Sequence, residues 1–289
     1  MPVVPAHDTS LYVNDRGPAD GLPLLVLHGG PGLDHTEFAD YLDPLTEQGV
    51  RLLLVDLRAQ GRSARDSHPR SWTLEQMASD VSAVAAGLGL SEYAVLGHSY
   101  GAFVALQHAV EAPGAALGTV VSSGVASGRW LAAVDAALAT FEPEHLRAQV
   151  LASWALEASV KTEADVGALM KAQMPFHFAD PLDPRIAAYE ARVAAAGPRY
   201  APDVLRHFAT AEYGGIELVD RRGDVGSPVL VLSGAHDRVC VADAGQEIAD
   251  GVPGARHHVF AYAGHMTFVE ATQEYLQVVG EFLGGLPRG

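Results

Sequence analysis

The stretch VLGHSYGAFVAL, residues 95–106, decides the fold. It passes from an apolar run through the pentapeptide GHSYG into a segment typical of a helix. Glycines on both sides of a serine suit a sharp, strained turn, because they let the strand pack closely against the helix that follows. Such a turn exposes the Ser99 hydroxyl beside the free amides of a helix N-terminus. The pattern predicts a nucleophile at the edge of an α/β sheet, and the simpler interpretation is a strand-to-helix turn with a capping serine.

Segments typical of strands alternate with segments typical of helices on both sides of this turn. Short apolar runs predict strands at residues 24–27, 51–57, 93–97, 117–124, 227–237 and 255–261. The segments between them predict helices at residues 34–48, 73–88, 99–111, 241–252 and 266–283. At the start of one of these helices, Thr73 and Gln76 resemble a capping box. The alternation predicts an α/β fold with a mostly parallel central sheet and helices on both faces.

Residues 127–224 interrupt this alternation. They are rich in alanine, glutamate and leucine and contain no clear strand. Six prolines stand at positions typical of helix boundaries, namely Pro143, Pro175, Pro181, Pro184, Pro198 and Pro202. We therefore predict a core made of residues 1–126 and 225–289, with a helical cap inserted at residues 127–224. This inserted stretch is called the cap segment below.

The composition excludes several classes of partner. Acidic residues outnumber basic ones by 35 to 19, which gives a formal net charge of −16. This charge repels nucleic-acid phosphates and offers no basic patch to an anionic membrane, although it can equally serve only to keep the protein in solution. The single cysteine, Cys240, excludes an internal disulfide and fits a reducing compartment. Because we find no secretory signal and no apolar run of about 18 residues, we expect a cytoplasmic protein.

A serine nucleophile needs a base, and the base needs an orienting acid. On an α/β sheet of this kind the chain order is serine, acid, histidine. Asp237 follows the strand PVLVLSG, and His265 lies in a loop before the final helix. We predict that His265 takes the serine proton and that Asp237 holds the imidazole tautomer. Asp243 is the alternative acid, although it falls in the following helix.

The segment HGGPG, residues 28–32, follows the first apolar strand. A tetrahedral intermediate of acyl transfer places negative charge on the carbonyl oxygen, and backbone amides stabilise that charge. One amide comes from the residue after the nucleophile, here Tyr100, and the other from a loop after an early strand. We expect Gly30 to supply the second amide, with Gly29 as the alternative. The simpler interpretation is a glycine turn that binds nothing.

These motifs together resemble the prolyl aminopeptidase (proline iminopeptidase) family of α/β-hydrolases. HGGPG looks like the hallmark of that family, and the segment DLRAQGRS, residues 56–63, is similar to another of its motifs. Ser99, Asp237 and His265 stand where the family has its nucleophile, acid and base. The resemblance covers both parts of the core and implies the α/β-hydrolase fold with an inserted helical cap. The sequence departs from the family pattern in two places. The turn at the serine begins with Gly-His-Ser, and the second motif contains Leu57 and Ala59.

The resemblance also implies that acidic residues of the cap bind the free amino group of the substrate. Glu212 and Glu217 are the candidates, because their stretch lies where the cap segment returns to the core. The alternative is that both are solvated surface glutamates. Arg238 stands where a further acid is expected after Asp237. Four cap aromatics are candidates either for an acyl pocket or for the cap core: Trp130, Trp154, Phe176 and Phe178.

The sequence therefore supports a serine hydrolase, with three hypotheses for its activity. The first is an aminopeptidase that releases an N-terminal residue from short peptides or amides. The second is a carboxylic ester hydrolase or lactonase with the same three residues, and the third is a non-catalytic binding protein of the same fold. We expect a small-molecule or short-peptide substrate, no cofactor and no metal, while the oligomeric state is left open.

Overall fold

This computed structural model describes residues 3–287. Eight strands within this range form one sheet. The strands are β1 (Val3–Ala6), β2 (Thr9–Arg16), β3 (Leu22–Leu27), β4 (Val50–Val55), β5 (Ala94–His98), β6 (Gly118–Ser122), β7 (Val229–Gly234) and β8 (Arg256–Phe260). Their spatial order is β1-β2-β4-β3-β5-β6-β7-β8. The β1–β2 and β2–β4 pairs are antiparallel, and all the other pairs are parallel. The mostly parallel sheet expected from the sequence is confirmed.

Helices connect the strands. The α-helices of residues 3–287 are α1 (Leu74–Gly87), α2 (Tyr100–Glu111), α3 (Ala133–Ala139), α4 (Glu144–Leu156), α5 (Glu163–His177), α6 (Arg185–Ala196), α7 (Pro202–Ala209), α8 (Ala242–Gly251), α9 (Thr267–Glu270) and α10 (Thr272–Gly284). Short 3₁₀ helices occupy His35–Phe38, Asp43–Gln48, Pro69–Ser71, Gly128–Ala132, Glu157–Ser159, Glu212–Gly214 and Val219–Asp224. None of the helices in the described range is both long and apolar enough to cross a membrane.

Most predicted elements are present, with three differences. The hairpin β1–β2 was not predicted, because β1 has only four residues and β2 is largely polar. The helix expected at residues 34–48 consists of two 3₁₀ helices with a break between them. The final helix is divided into α9 and α10 at Ala271, which has a non-helical conformation. The capping role of Thr73 is confirmed in part, since its side chain accepts a hydrogen bond from the Gln76 amide.

Alternation along the strands divides the core into two layers. In β3, Leu25 and Leu27 belong to the layer that contains α1, α2 and α8. Leu24 and Val26 belong to the opposite layer, which contains α9 and α10. Successive strand side chains point to opposite faces, so a continuous apolar run buries both faces of a parallel sheet. Helices therefore cover both faces, as the sequence predicts.

The helices α3 to α7 all lie between β6 and β7 in the chain. They come from the cap segment, and they contribute many of the side chains around the cavity described below. An antiparallel bridge between Ser127 and Glu217 joins the two ends of the cap segment. The boundaries at residues 127 and 224 stay a prediction.

The turn from β5 into α2 is held open by two glycines. A Cβ atom at Gly97 would lie 2.0 Å from the carbonyl oxygen of Gly101. A Cβ atom at Gly101 would lie 2.3 Å from the carbonyl oxygen of Leu27. Ser99, between them, has φ 53° and ψ −120°, a backbone conformation that residues other than glycine rarely adopt. Close backbone packing on both sides keeps Ser99 in this strained position.

We expect Gly97→Ala to lower the free energy of unfolding by about 3 kcal/mol, because the added methyl group meets backbone that cannot move aside. Urea denaturation measures the change. Gly223→Ala is the matched control, since a Cβ there meets no atom within 4 Å, and its effect should stay within about 0.5 kcal/mol. Equal stability of the two variants would contradict the close packing of the turn.

Candidate active site

Ser99 lies on the wall of a cavity of about 1210 Å³ between the core and the cap segment. Gly30, Tyr100 and His265 line the same cavity. These residues follow β3, β5 and β8, which run parallel to their neighbours in the sheet. The carboxyl ends of parallel strands meet at one edge, so residues from distant parts of the chain converge there.

Asp237 and His265 form a buried pair at this edge. The Nδ1 atom of His265 donates a hydrogen bond to Oδ2 of Asp237 at 2.9 Å. The other oxygen, Oδ1, accepts hydrogen bonds from the amides of Val239 at 2.8 Å and Cys240 at 2.9 Å. Both side chains are almost completely excluded from solvent. Because Nδ1 carries the proton, Nε2 of the neutral ring is left as an acceptor.

The surroundings of His265 set its protonation. Burial alone lowers the pKa of His265, but the charge and hydrogen bond of Asp237 outweigh it, and the net pKa is raised. Glu37 and Glu270 also raise this pKa through their charges. Two neighbouring histidine rings behave differently. Burial, together with the charge of His265, lowers the pKa of His177 to about 4 and that of His98 well below its usual value.

His98 occupies the position before Ser99 and packs beneath His265. Its ring centre lies 5.0 Å from that of His265 and 5.0 Å from that of Phe268. The side chain is fully buried, and its Nε2 atom has no hydrogen-bond partner among residues 3–287. A neutral, packed ring fits these contacts.

The three candidate amides have different surroundings. The Tyr100 amide is the first of α2, so it has no carbonyl of a preceding helical turn to bond. Gly30 lines the cavity with φ 113°, which favours glycine. The Gly29 amide, by contrast, donates to Oε2 of Glu37 at 2.5 Å. Gly29 is therefore engaged with a protein acceptor, and Gly30 and Tyr100 are the amides left for a ligand oxygen.

Glu37 was not singled out in the sequence. It lies in the 3₁₀ helix His35–Phe38, directly after the glycine-rich loop, and this helix begins at Asp34, whose side chain accepts the Thr36 amide. Glu37 is buried on the cavity wall. Burial raises the pKa of Glu37 to about 7, although the Gly29 amide and the charge of His265 oppose the rise. An acidic residue a few positions after HGGPG was the available signal.

The two glycine-bearing motifs of the sequence hold each other in place. The amide of Leu57 donates to Nε2 of His28 at 3.1 Å, and Nδ1 of His28 contacts the carbonyl oxygen of Gly29 at 2.8 Å. The Gly32 amide donates to Oε1 of Gln60 at 2.6 Å. Segments 28–32 and 56–63 are thus joined at both ends, which fixes the backbone beside Ser99.

A second polar group, not found in the sequence, lies behind the glycine-rich loop. The ligand atoms of Asp34, His35 and Asp56 lie within 4.8 Å of one another, a spacing that could hold a metal ion. Protein donors already contact these atoms. His35 Nδ1 lies 2.6 Å from Asp56 Oδ1, the Arg62 amide donates to Asp56 Oδ2 at 2.7 Å, and the Arg62 guanidinium lies 3.1 Å from Asp34 Oδ2. These contacts make the group a structural network that supports the loop.

The cap residues expected to bind an amine are placed differently from one another. Glu212 is exposed and lies on the cavity wall. Glu217 is exposed, accepts a hydrogen bond from Ser127 Oγ at 2.7 Å, and is not among the residues that line the cavity. Glu157, which no sequence motif singled out, is buried on the cavity wall and accepts hydrogen bonds from Gln173 and Tyr213. Burial raises its pKa, and both hydrogen bonds oppose the rise.

Of the four cap aromatics, Trp154 lines the cavity. Phe176 and Phe178 are buried in hydrophobic clusters, and Trp130 packs on the core and donates to Glu247 at 2.7 Å.

Two charged residues attach the cap segment to the loops that carry Asp237 and His265. The guanidinium of Arg238 donates to the carbonyl oxygens of Phe178 at 2.6 Å and Ala179 at 3.0 Å. The carboxylate of Glu270 accepts from the amides of Ala179 and Gly264, both at 2.8 Å. The His265 amide also donates to the carbonyl oxygen of His177 at 2.7 Å. Arg238, which stands where a further acid was expected after Asp237, therefore joins its loop to the cap segment.

Comparison with known proteins agrees with this architecture. The model of the alpha/beta hydrolase fold family matches residues 23–272. The chain belongs to this α/β-hydrolase family. The resemblance to proline iminopeptidases is also confirmed, since a proline iminopeptidase of Clostridioides difficile (strain 630) is 27% identical over 285 residues, covering 90% of this α/β-hydrolase and 89% of the relative.

Solved structures show the same fold. A proline iminopeptidase from Mycobacterium smegmatis superposes with a TM-score of 0.75 at 27% identity, covering 98% of this α/β-hydrolase and 97% of that chain. An esterase from Exiguobacterium antarcticum has the same TM-score of 0.75 at 21% identity, covering 98% and 99% of the two chains. The second likeness shows the fold alone.

We expect Asp237→Asn to lower the pKa of His265, because burial then acts on the imidazolium without the opposing carboxylate. NMR titration of the histidine ring protons measures the shift, with the His265 signal assigned from its loss in His265→Gln. Asp243→Asn is the matched control, since Asp243 is exposed on α8. An unchanged pKa in Asp237→Asn, or an equal shift in the control, would contradict the pairing.

Proposed function

We propose that this α/β-hydrolase is a serine aminopeptidase that releases the N-terminal residue from short peptides or amides. Ser99 is the nucleophile, His265 the base and Asp237 the acid that orients it. The observation that carries the proposal is the buried hydrogen bond between Asp237 and His265 at a cavity whose wall includes the strained Ser99. This combination of groups is what a serine hydrolase requires.

The chemistry follows from the geometry in two steps. Nε2 of His265 takes the proton of Ser99 as the hydroxyl oxygen bonds to the substrate carbonyl carbon, and the imidazolium then gives the proton to the leaving amine as the C–N bond breaks. Water attacks the resulting ester in the same way and regenerates Ser99. Asp237 keeps the proton on Nδ1 and stabilises the imidazolium through its charge.

The amides of Gly30 and Tyr100 serve as the oxyanion hole in this proposal. Each intermediate places a negative charge on the former carbonyl oxygen, and one well-placed amide stabilises the transition state by about 3–4 kcal/mol. Glycine at position 30 lets the backbone approach the substrate. The engagement of the Gly29 amide with Glu37 favours Gly30 over Gly29 as the donor.

The charge of the cavity supports a substrate with a free amine. Within the described residues its wall includes one lysine, Lys171, and six carboxylates: Asp34, Glu37, Asp135, Glu157, Glu190 and Glu212. Such a wall attracts a cation and repels an anionic acyl group. Glu37 is also buried, and a buried carboxylate is stabilised by a paired cation. The relatives named as proline iminopeptidases support the same reaction class.

The size and lining of the cavity favour substrates that are larger than a single small residue and carry apolar groups. Its volume of about 1210 Å³ exceeds the usual range for small-ligand sites, roughly 300–1,000 Å³. Much of the wall from the cap segment is apolar, including Leu131, Val134, Leu138, Trp154 and Met170. We therefore expect the enzyme to accept bulky apolar N-terminal residues as well as proline.

We expect prolyl, alanyl, leucyl and phenylalanyl p-nitroanilides to be cleaved at pH 7.5, and their N-acetylated forms to react at least about 100-fold more slowly, because acetylation removes the cation. Ser99→Ala should lower kcat by at least about 10³-fold. Release of p-nitroaniline measures both. Cleavage of p-nitrophenyl acetate or butyrate without any anilide cleavage would contradict the aminopeptidase and favour the ester hydrolase. Full activity of Ser99→Ala would contradict the serine mechanism.

We expect kcat to fall as the pH is lowered, with the midpoint above 6.5, the usual pKa of histidine. The base acts in its neutral form, so the raised pKa of His265 moves the loss of activity to higher pH. Because the substrate amine titrates near 7.7–8.0 and affects binding, kcat at saturation is the quantity to follow. A kcat that stays constant between pH 5 and 8 would contradict His265 as the base.

A further inference from the structure

One carboxylate close to Ser99, that of Glu37, belongs to the core and not to the cap segment. Glu37 and Ser99 meet across Gly29. A Cβ atom built on Gly29 would lie 2.7 Å from Oε1 of Glu37, 3.1 Å from its Oε2 and 3.1 Å from Cβ of Ser99. Glu37 and Ser99 therefore lie on either side of the same glycine, on the wall of the cavity.

The substrate of an aminopeptidase restricts where its ammonium can lie. One carbon atom separates the amino nitrogen from the carbonyl carbon, so the two atoms are about 2.5 Å apart. When Ser99 attacks that carbon, the ammonium must lie within one side chain of the serine. An acid on the far wall of a cavity of this size cannot meet this condition.

Only some acids of the cavity wall are free to bind a cation. Asp34 accepts the amides of Thr36 and Arg199 and pairs with Arg62. Glu157 accepts hydrogen bonds from Gln173 and Tyr213. The three remaining acids, Asp135, Glu190 and Glu212, are partly or fully exposed and come from the cap segment.

Glu37 has one oxygen occupied and one available. Oε2 accepts the Gly29 amide, and no donor within residues 3–287 is assigned to Oε1. We propose that Glu37 binds the α-ammonium of the N-terminal residue of the substrate and so sets the preference for a free amine. This assignment rests on the aminopeptidase function proposed above. The same carboxylate would then hold both the glycine-rich loop and the substrate, which places the scissile carbonyl between Ser99 and the Gly30 amide.

An ammonium at this position also offsets the electrostatic free energy that is lost when the Glu37 carboxylate is buried. The carboxylate is buried and its pKa is raised to about 7. A cation beside Oε1 lowers that pKa and keeps the group ionised. Without a cation, a negative charge next to the developing oxyanion would oppose the reaction, so substrates that lack the amine are disfavoured at the chemical step as well as in binding.

The test compares paired substrates that differ only in the amine. The aminoacyl p-nitroanilide cleaved best by the wild type is set beside its counterpart in which hydrogen replaces the amino group. The preference is the ratio of the two kcat/KM values. We expect Glu37→Gln to lower this ratio at least 30-fold, because the amide keeps an acceptor for the Gly29 amide but carries no charge. Glu157→Gln is the matched control and should change the ratio less than threefold.

The outcomes separate the two proposals. A wild-type ratio near one would overturn both the aminopeptidase and the role of Glu37. A high wild-type ratio that Glu37→Gln leaves unchanged, or that Glu157→Gln removes instead, would overturn the role of Glu37 alone. Glu37→Asp retains the charge and should keep a higher ratio than Glu37→Gln. Equal ratios in these two variants would overturn the binding role and mean that Glu37 only positions the loop. If Glu37→Gln folds poorly, Glu37→Ala, which also removes the charge, takes its place in this comparison.

Discussion

The close packing of β5, the first turn of α2 and the end of β3 is the constraint on which the site depends. Side chains at Gly97 and Gly101 would overlap backbone atoms of this layer. Their absence lets α2 begin directly above the sheet, with Ser99 held at φ 53°. The strain is local and is supported by the surrounding apolar layers, which bury nearly every residue of β3 to β7. The reactive hydroxyl is thereby positioned by backbone that cannot easily relax.

Around this fixed point, the other groups are held by contacts between segments that are distant in sequence. His28 and Gln60 join the glycine-rich loop to the segment after β4. Arg238 and Glu270 join the loops of Asp237 and His265 to the chain at residues 178–179. The cap segment therefore serves two purposes, because it closes the cavity and it braces the loops that carry the catalytic candidates. A substitution at these bracing residues would act on the site through position rather than chemistry.

The charge distribution gives the cavity its chemical character. Acidic groups far outnumber basic ones on its wall, in keeping with the chain as a whole. Burial separates these acids into two classes. The exposed ones add to a general negative field, whereas Glu37 and Glu157 have raised pKa values and depend on their immediate partners. A ligand cation therefore has its largest effect at the buried acids. Their hydrogen bonds distinguish them, because both oxygens of Glu157 accept from protein donors, whereas Glu37 accepts the Gly29 amide with one oxygen.

The sequence alone predicted the mostly parallel sheet, which the structure confirms, and it also predicted the helical cap and the candidate trio of Ser99, Asp237 and His265. The strands and the turn at Ser99 follow from local rules, since apolar runs and glycine spacing act over a few residues, whereas Asp237 and His265 were chosen from the order of the three residues along the chain. The sequence did not reveal the β1–β2 hairpin, because β1 has only four residues and β2 is largely polar. Which acids face the cavity follows from the tertiary structure and not from the local sequence. The fold brought Glu37 and Glu157 to the wall, left Glu217 outside it, and occupied the Gly29 amide. The physical reason is that an acid's role depends on burial and on partners far along the chain, and neither is encoded in the residues beside it.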